Sequence, residues 1–147
     1  MEKINFENYP STNSPINGTN LNLLQDNVED ALSDVKILTF TRDSSVADGV
    51  VSYTGFWFKP KLVIALMAVD GQIYNSKGAT DGTITKNIYQ ISQAAYKVDN
   101  SFITFSNFSS MSETAFFQSF DDDGFTLSWS KFGNPTAVLQ LIFIAFK

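Results

Sequence analysis

The feature that most constrains this chain is a change of hydrophobic period near residue 35. From there onward apolar residues alternate with polar ones, or fill runs of strand length. Turn-forming clusters interrupt them: "ADG" (47–49), "VDGQ" (69–72), "DGT" (81–83), "VDNS" (98–101), "DDDG" (121–124) and "FGNP" (132–135). Successive side chains of a strand point to opposite faces, so period two is the mark of a half-buried strand and is of no use to a helix. The pattern predicts strands near 35–42, 48–54, 61–69, 72–76, 86–92, 100–106, 114–119, 124–130 and 136–146. Regular short strands between turns predict a mainly β chain, an antiparallel β-sandwich of jelly-roll-like type. "KLVIALMAV" (61–69) and "AVLQLIFIAF" (137–146) are apolar on both faces, so they should be central strands, or strands facing both the core and another subunit. The second run is about half the length a membrane-spanning helix needs. It alternates like a strand, and no membrane insertion is expected.

Ahead of the alternation the chain reads differently. Leu21, Leu24, Val28, Ala31, Val35 and Leu38 recur at spacings of three and four, an a/d heptad seam. Thr19 and Asn20 suit helix caps, and Gln25, Asp26, Glu29 and Asp30 suit a solvated face. "DVKILTF" also reads as strand, so the helix should end near Ser33 or Asp34. A helix of about 14 residues is marginal alone and needs a partner. Residues 1–20 have no periodicity; Pro10 and Pro15 disfavour helix just before them. Ile4, Phe6, Tyr9 and Ile16 are too few to build a core, and the segment reads as an extended arm that orders against another subunit. The organisation is then an arm (1–20), a short helix (21–34) and a β-sandwich (35–147). The polar, acidic start "MEKINFENYPST" is unlike a secretory signal.

Several chemistries are excluded by what is missing. The chain has no cysteine, hence no disulfide or thiolate chemistry, and no histidine, hence no Ser-His-Asp triad. A net charge of −5 without a basic cluster argues against a nucleic-acid partner. There is no G-x-S-x-G elbow and no S-x-x-K motif, and "GATDG" (78–82) lacks the lysine of a P-loop and reads as a loop.

Asp121-Asp122-Asp123-Gly124 invites a cation reading. An EF-hand loop with Gly124 at its sixth position would need an acid at position 130, which is Ser130. The stretch lies between "AFFQSF" and "FTLSW", and Asp-Gly between alternating runs is a hairpin signal. A turn is the favoured reading, with a looser calcium site from Asp121 and Asp123 as its rival. A glycosidase pair of carboxylates is not singled out by spacing, since Glu113 is the one glutamate beyond residue 35. No cofactor or metal is expected. Of the aromatic residues, Trp129 alternates with Phe125 and Leu127 and should be core, whereas Trp57, just before "FKPK", is the candidate for exposure and for stacking on a ligand.

Two stretches carry a family resemblance. "INFENYPSTNSPINGTNLNLLQDNV" (4–28) resembles the start of tail-associated proteins of phages infecting Gram-positive bacteria, where an arm of the form I-x-F-x-N-x-P-S-T-x-T-P-I-N-A-x-N-L-N precedes a short helix. Ser14 and Gly18 depart from that pattern. The body resembles a β domain of phage tail fibres, with Tyr53 to Lys61 matching Y-T-G-x-G-F-K-P-K and Phe120 to Trp129 matching F-D-x-D-G-F-T-L-x-W. Trp57 stands where that pattern has glycine. The resemblance implies a non-enzymatic virion protein, a small tail-fibre or baseplate-associated homotrimer. Its trimer interface would be Leu21, Leu24, Val28, Ala31 and Val35. It would attach to other virion proteins through Ile4, Phe6, Tyr9, Pro10, Pro15 and Ile16; the resemblance specifies no ligand, and the expectation of host surface glycans at Trp57 comes from its aromatic side chain alone. A capsid head fibre or decoration protein, a carbohydrate-binding module and a small glycan hydrolase are the alternatives.

Overall fold

The computed structural model describes residues 21–26, 28, 34–93, 95–107 and 110–147. The chain divides into two units, Met1–Val35 and Lys36–Lys147. In the first, residues 21–26 and 28 are helical, in line with the expected helix start. Leu24 and Val28, both on the heptad seam, are exposed. Among the described residues no coiled coil is seen. Ala31 and the arm positions Ile4, Phe6, Tyr9, Pro10, Pro15 and Ile16 lie outside the described residues. Val35 departs from the expected seam. It opens the first strand, because "VKILTF" alternates and the β-branched Val35 and Ile37 favour a pleated edge over another helical turn.

The second unit is an antiparallel β-sandwich, as the alternation predicts. The strands are β1 (Val35–Asp43), β2 (Gly49–Thr54), β3 (Leu62–Val69), β4 (Asn75–Thr80), β5 (Thr85–Ser92), β6 (Ala95–Asp99), β7 (Ile103–Asn107), β8 (Met111–Asp121), β9 (Gly124–Phe132) and β10 (Val138–Phe146). One sheet has the order β1-β10-β3-β4-β5-β6 and the other β2-β9-β8-β7. The first two strands thus lie beside the last two, β1 on β10 and β2 on β9, which is the nested pairing of a jelly roll; inside that wrap, β3–β6 and β7–β9 are plain meanders. The two doubly apolar runs become β3 and β10. They are interior neighbours, paired from Leu139↔Val69 to Phe146↔Leu62.

Trp129, Phe56, Phe102, Phe125 and Phe143 fill the space between the sheets and are buried. Phe125 meets Phe143 edge to face at 4.9 Å and 88°, and Phe102 at 6.1 Å and 83°. That arrangement suits the aromatic quadrupole and uses the abundant phenylalanine as core filling.

Two expectations are corrected here. The loop reading of "GATDG" and the strand expected at 72–76 give way to β4 over Asn75–Thr80. Its inward residues Ser76, Gly78 and Thr80 are too small or too polar to register as a hydrophobic period. Gly78 is required there, since a β-carbon would lie 1.8 Å from the carbonyl oxygen of Phe102. A strand was also missed: β6 is a short edge strand of five residues, "AYKVD", ending in what read as a turn.

Candidate functional site

The connection from β2 to β3 crosses between the sheets, and three of its amides converge on one residue. Asp123 Oδ2 accepts from the Gly55 N–H (3.0 Å) and its Oδ1 from the Trp57 N–H (2.6 Å). The Asp123 carbonyl accepts from the Phe56 N–H at 3.3 Å. Successive amides aimed at one anion form a concave nest, and the nest sets three consecutive side chains. Gly55 takes φ 97° and Trp57 takes φ 67°. Phe56 between them is driven into the core, fully buried against Phe125 at 5.5 Å. Trp57 is thrown outward with 81% of its surface exposed.

Positive φ in a bulky residue is an outlier that costs about 1–2 kcal/mol. Trp57 thus carries an indole on a backbone conformation that glycine adopts without strain. Lys36, on β1, places its Nζ 3.2 Å from the centre of the Trp57 ring. That cation–π contact orients the ring while leaving most of it in solvent. The result is a rigid aromatic platform, of the kind that stacks on the C–H face of a sugar or on another planar group.

The triple aspartate is thereby resolved into three roles. The expected hairpin between β8 and β9 is present, but its two turn residues are Asp122 and Asp123 rather than the expected Asp123-Gly124, because Gly124 already pairs as the first residue of β9. Neither turn residue has positive φ, so the turn is not of type I′. Asp121 accepts from Ser119 Oγ (2.8 Å) and Thr126 Oγ1 (2.6 Å), and Asp123 holds the nest. The carboxylate oxygens of Asp121 and Asp123 are thus already met by donors of the chain itself. Among the described residues no group of three or more acidic side chains is placed to hold a metal ion.

Glu113 is fully buried on β8, and its Oε1 accepts from Arg42 Nε at 2.7 Å. The Arg42 guanidinium lies 4.4 Å from the Trp129 ring centre. Burial pushes the Glu113 carboxyl above its usual range, against the opposing pull of Arg42. Beside it, burial pushes the Tyr53 hydroxyl up to about 12. A cleft of about 310 Å³ between β1 and β2 is walled in part by Arg42 and Tyr53. Arg42 Nη2 and Glu113 Oε2 are solvent-inaccessible and without hydrogen-bond partners. The glutamate that a carboxylate-pair mechanism would call on is therefore enclosed rather than presented to a substrate. Near the β4–β5–β7 layer, Ser76, Asn87, Ser101 and Thr104 form a buried hydrogen-bonded chain whose bonds are internal.

Of the residues singled out in the sequence, Trp57 is exposed and Trp129 is core. The pairing of Asp123 with the amides of residues 55–57, the Lys36 contact and the Arg42–Glu113 pair were missed. Asp123 meets Trp57 across 66 residues of sequence, and Arg42 meets Glu113 across 71. No short-range signal in the sequence marks either pairing. No family model, no curated protein and no solved structure matches this chain.

Proposed function

We propose that this protein is a non-enzymatic structural component of a bacteriophage particle. In this reading it is a small tail-fibre or baseplate-associated homotrimer, joined to other virion proteins through residues 1–20 and trimerised by the helix that begins at Leu21. The β-sandwich displays Trp57 toward host surface glycans. The virion half rests on the motifs at 4–28, 53–61 and 120–129. The observation that carries the recognition half is the outward Trp57, held in a glycine conformation by Asp123. A fold does not spend strain on an exposed aromatic residue for packing, and strained exposed positions concentrate at ligand sites. A capsid head fibre or decoration protein would share the arm and the trimer, and a carbohydrate-binding module would share only the platform.

Imaging of labelled protein on purified particles, paired with glycan-array binding of wild type and Trp57→Ala, tests both halves. Label at the tail or baseplate together with Trp57-dependent glycan binding is the expected result. Label on the capsid would favour the head-fibre alternative. Binding without particle association would favour the carbohydrate-binding module. Array binding unchanged by Trp57→Ala would remove the platform from the proposal.

A further inference from the structure

We infer that Lys36 sets the class of ligand taken at Trp57: a ring that is neutral or acidic, such as an N-acetylated or uronic sugar, and not one that carries a positive charge. The inference rests on the reading of Trp57 as a glycan platform and deepens it.

An exposed indole is chemically open-ended. Its faces attract cations, and stacking on tryptophan is a common way to hold an ammonium ligand. The same faces also pack against the C–H side of a sugar. In this protein the cation is already supplied from within. Lys36 Nζ stands 3.2 Å from the centre of the Trp57 ring, while 81% of the residue stays exposed. One face of the indole therefore carries an ammonium, and the other is left for a ligand.

The ammonium belongs to the frame of the domain. Lys36, Leu38, Phe40 and Arg42 are the less exposed residues of β1, and Leu38 and Phe40 pack against the core. Lys36 continues that row, half-buried. Such a position lets the stem lie along apolar surface with the charged head over the ring. Asp123 bonds the backbone of Trp57, and its two carboxylate oxygens accept from amides. Among the described residues, Lys36 is the charged side chain seated on this indole face.

A ligand in contact with the open face lies about 3.5–4 Å beyond the indole plane, and so about 7 Å from the ammonium. At that distance, in a water-like dielectric and at low salt, a unit charge changes the local population of a small ion by roughly two- to threefold. A ring that sheds water to stack meets a lower effective dielectric, and the discrimination rises to roughly tenfold. Its sign is against a cationic ring and in favour of an acidic one.

The charge selection is measurable without any glycan. Trp57 and Trp129 are the two tryptophans, and Trp129 is buried. Collisional quenching of the exposed fluorescence by iodide and by caesium, at matched ionic strength, therefore reads the potential at Trp57. The iodide-to-caesium ratio of quenching constants should fall roughly fivefold in Lys36→Met and return in Lys36→Arg. Acrylamide, which is uncharged, corrects for any change in exposure. A glycan array holding each amino sugar in N-acetylated and free-amine forms gives the second arm. Signals that need Trp57 should fall on N-acetylated and acidic forms, and Lys36→Met should gain about tenfold on the free-amine forms. A quenching ratio unchanged by Lys36→Met would overturn the inference, as would wild type binding free-amine forms best. A lysine-dependent ratio with no Trp57-dependent signal on the array would remove the glycan reading and leave the charge selection of the ring standing. Thermal unfolding of each variant confirms that the changes are not loss of fold.

Discussion

Removing the Asp123 carboxylate separates the nest from a simple turn. In Asp123→Ala two backbone amides, those of Gly55 and Trp57, lose their acceptor. Hydrogen bonds to a charged group contribute about 1.5–3 kcal/mol each when shielded. Asp123 is exposed, so screening reduces this to about 1 kcal/mol each, or about 2 kcal/mol together. Once released, Trp57 can leave its φ of 67° and recover about 1 kcal/mol of backbone strain. The net loss in the wild-type background is then about 1 kcal/mol, equivalent to about 4 °C in melting temperature for a domain of this size. In a Trp57→Gly background there is no strain to recover, and the same substitution should cost about 2 kcal/mol. A double-mutant cycle by urea denaturation measures both legs, with Asp122→Ala as a surface control expected within about 0.5 kcal/mol of wild type. The reasoning is refuted if Asp123→Ala is no worse than Asp122→Ala, or if the two backgrounds respond alike. A melting temperature that falls by several degrees on adding a chelator to wild type would instead reinstate a cation at the aspartates.

Two further outcomes follow from the same structure. Gly124→Ala should lower stability by more than about 3 kcal/mol, or prevent folding, because its β-carbon would lie 1.9 Å from the Tyr53 carbonyl oxygen in the β2–β9 pair; denaturation curves and yield of folded protein read this directly, and a fully stable variant would mean that β2 and β9 do not pair in this register. The Glu113 carboxyl has its folded-state pKa raised by burial, so its contribution to stability is most favourable below its unfolded value and is lost as pH rises through the folded one. The stability of wild type relative to Glu113→Gln should therefore fall from acid toward neutral pH, and a difference that grows over that range would contradict the burial of this pair.

Much of the fold was legible because period two survives wherever a strand has one buried face. That is why β1, β3, β9 and β10 fall close to their expected places. The signal failed where burial is not hydrophobic. On β4 the inward positions are Ser76, Gly78 and Thr80, and on β6 the edge leaves Lys97 and Val98 exposed. The candidate site was half legible. Trp57 stands out in the sequence as an aromatic residue just before a strand break, whereas nothing local distinguishes Asp123 from Asp121 or Asp122.

What the sequence determined by itself is the class of the fold and the location of most of its turns, since both follow from interactions between residues a few positions apart: alternation, proline and glycine conformation, and side-chain bonds to nearby amides. What only the tertiary structure decided is which residues meet. The nested pairing of β1 with β10 and β2 with β9 brings Asp123 under the amides of residues 55–57 and Arg42 onto Glu113. It also sets Ile142 beside Leu66 and Ile144 beside Ile64 across β10 and β3. Contacts of that kind depend on strand order and register, which are fixed by the packing of the whole core and leave no short-range trace in the chain.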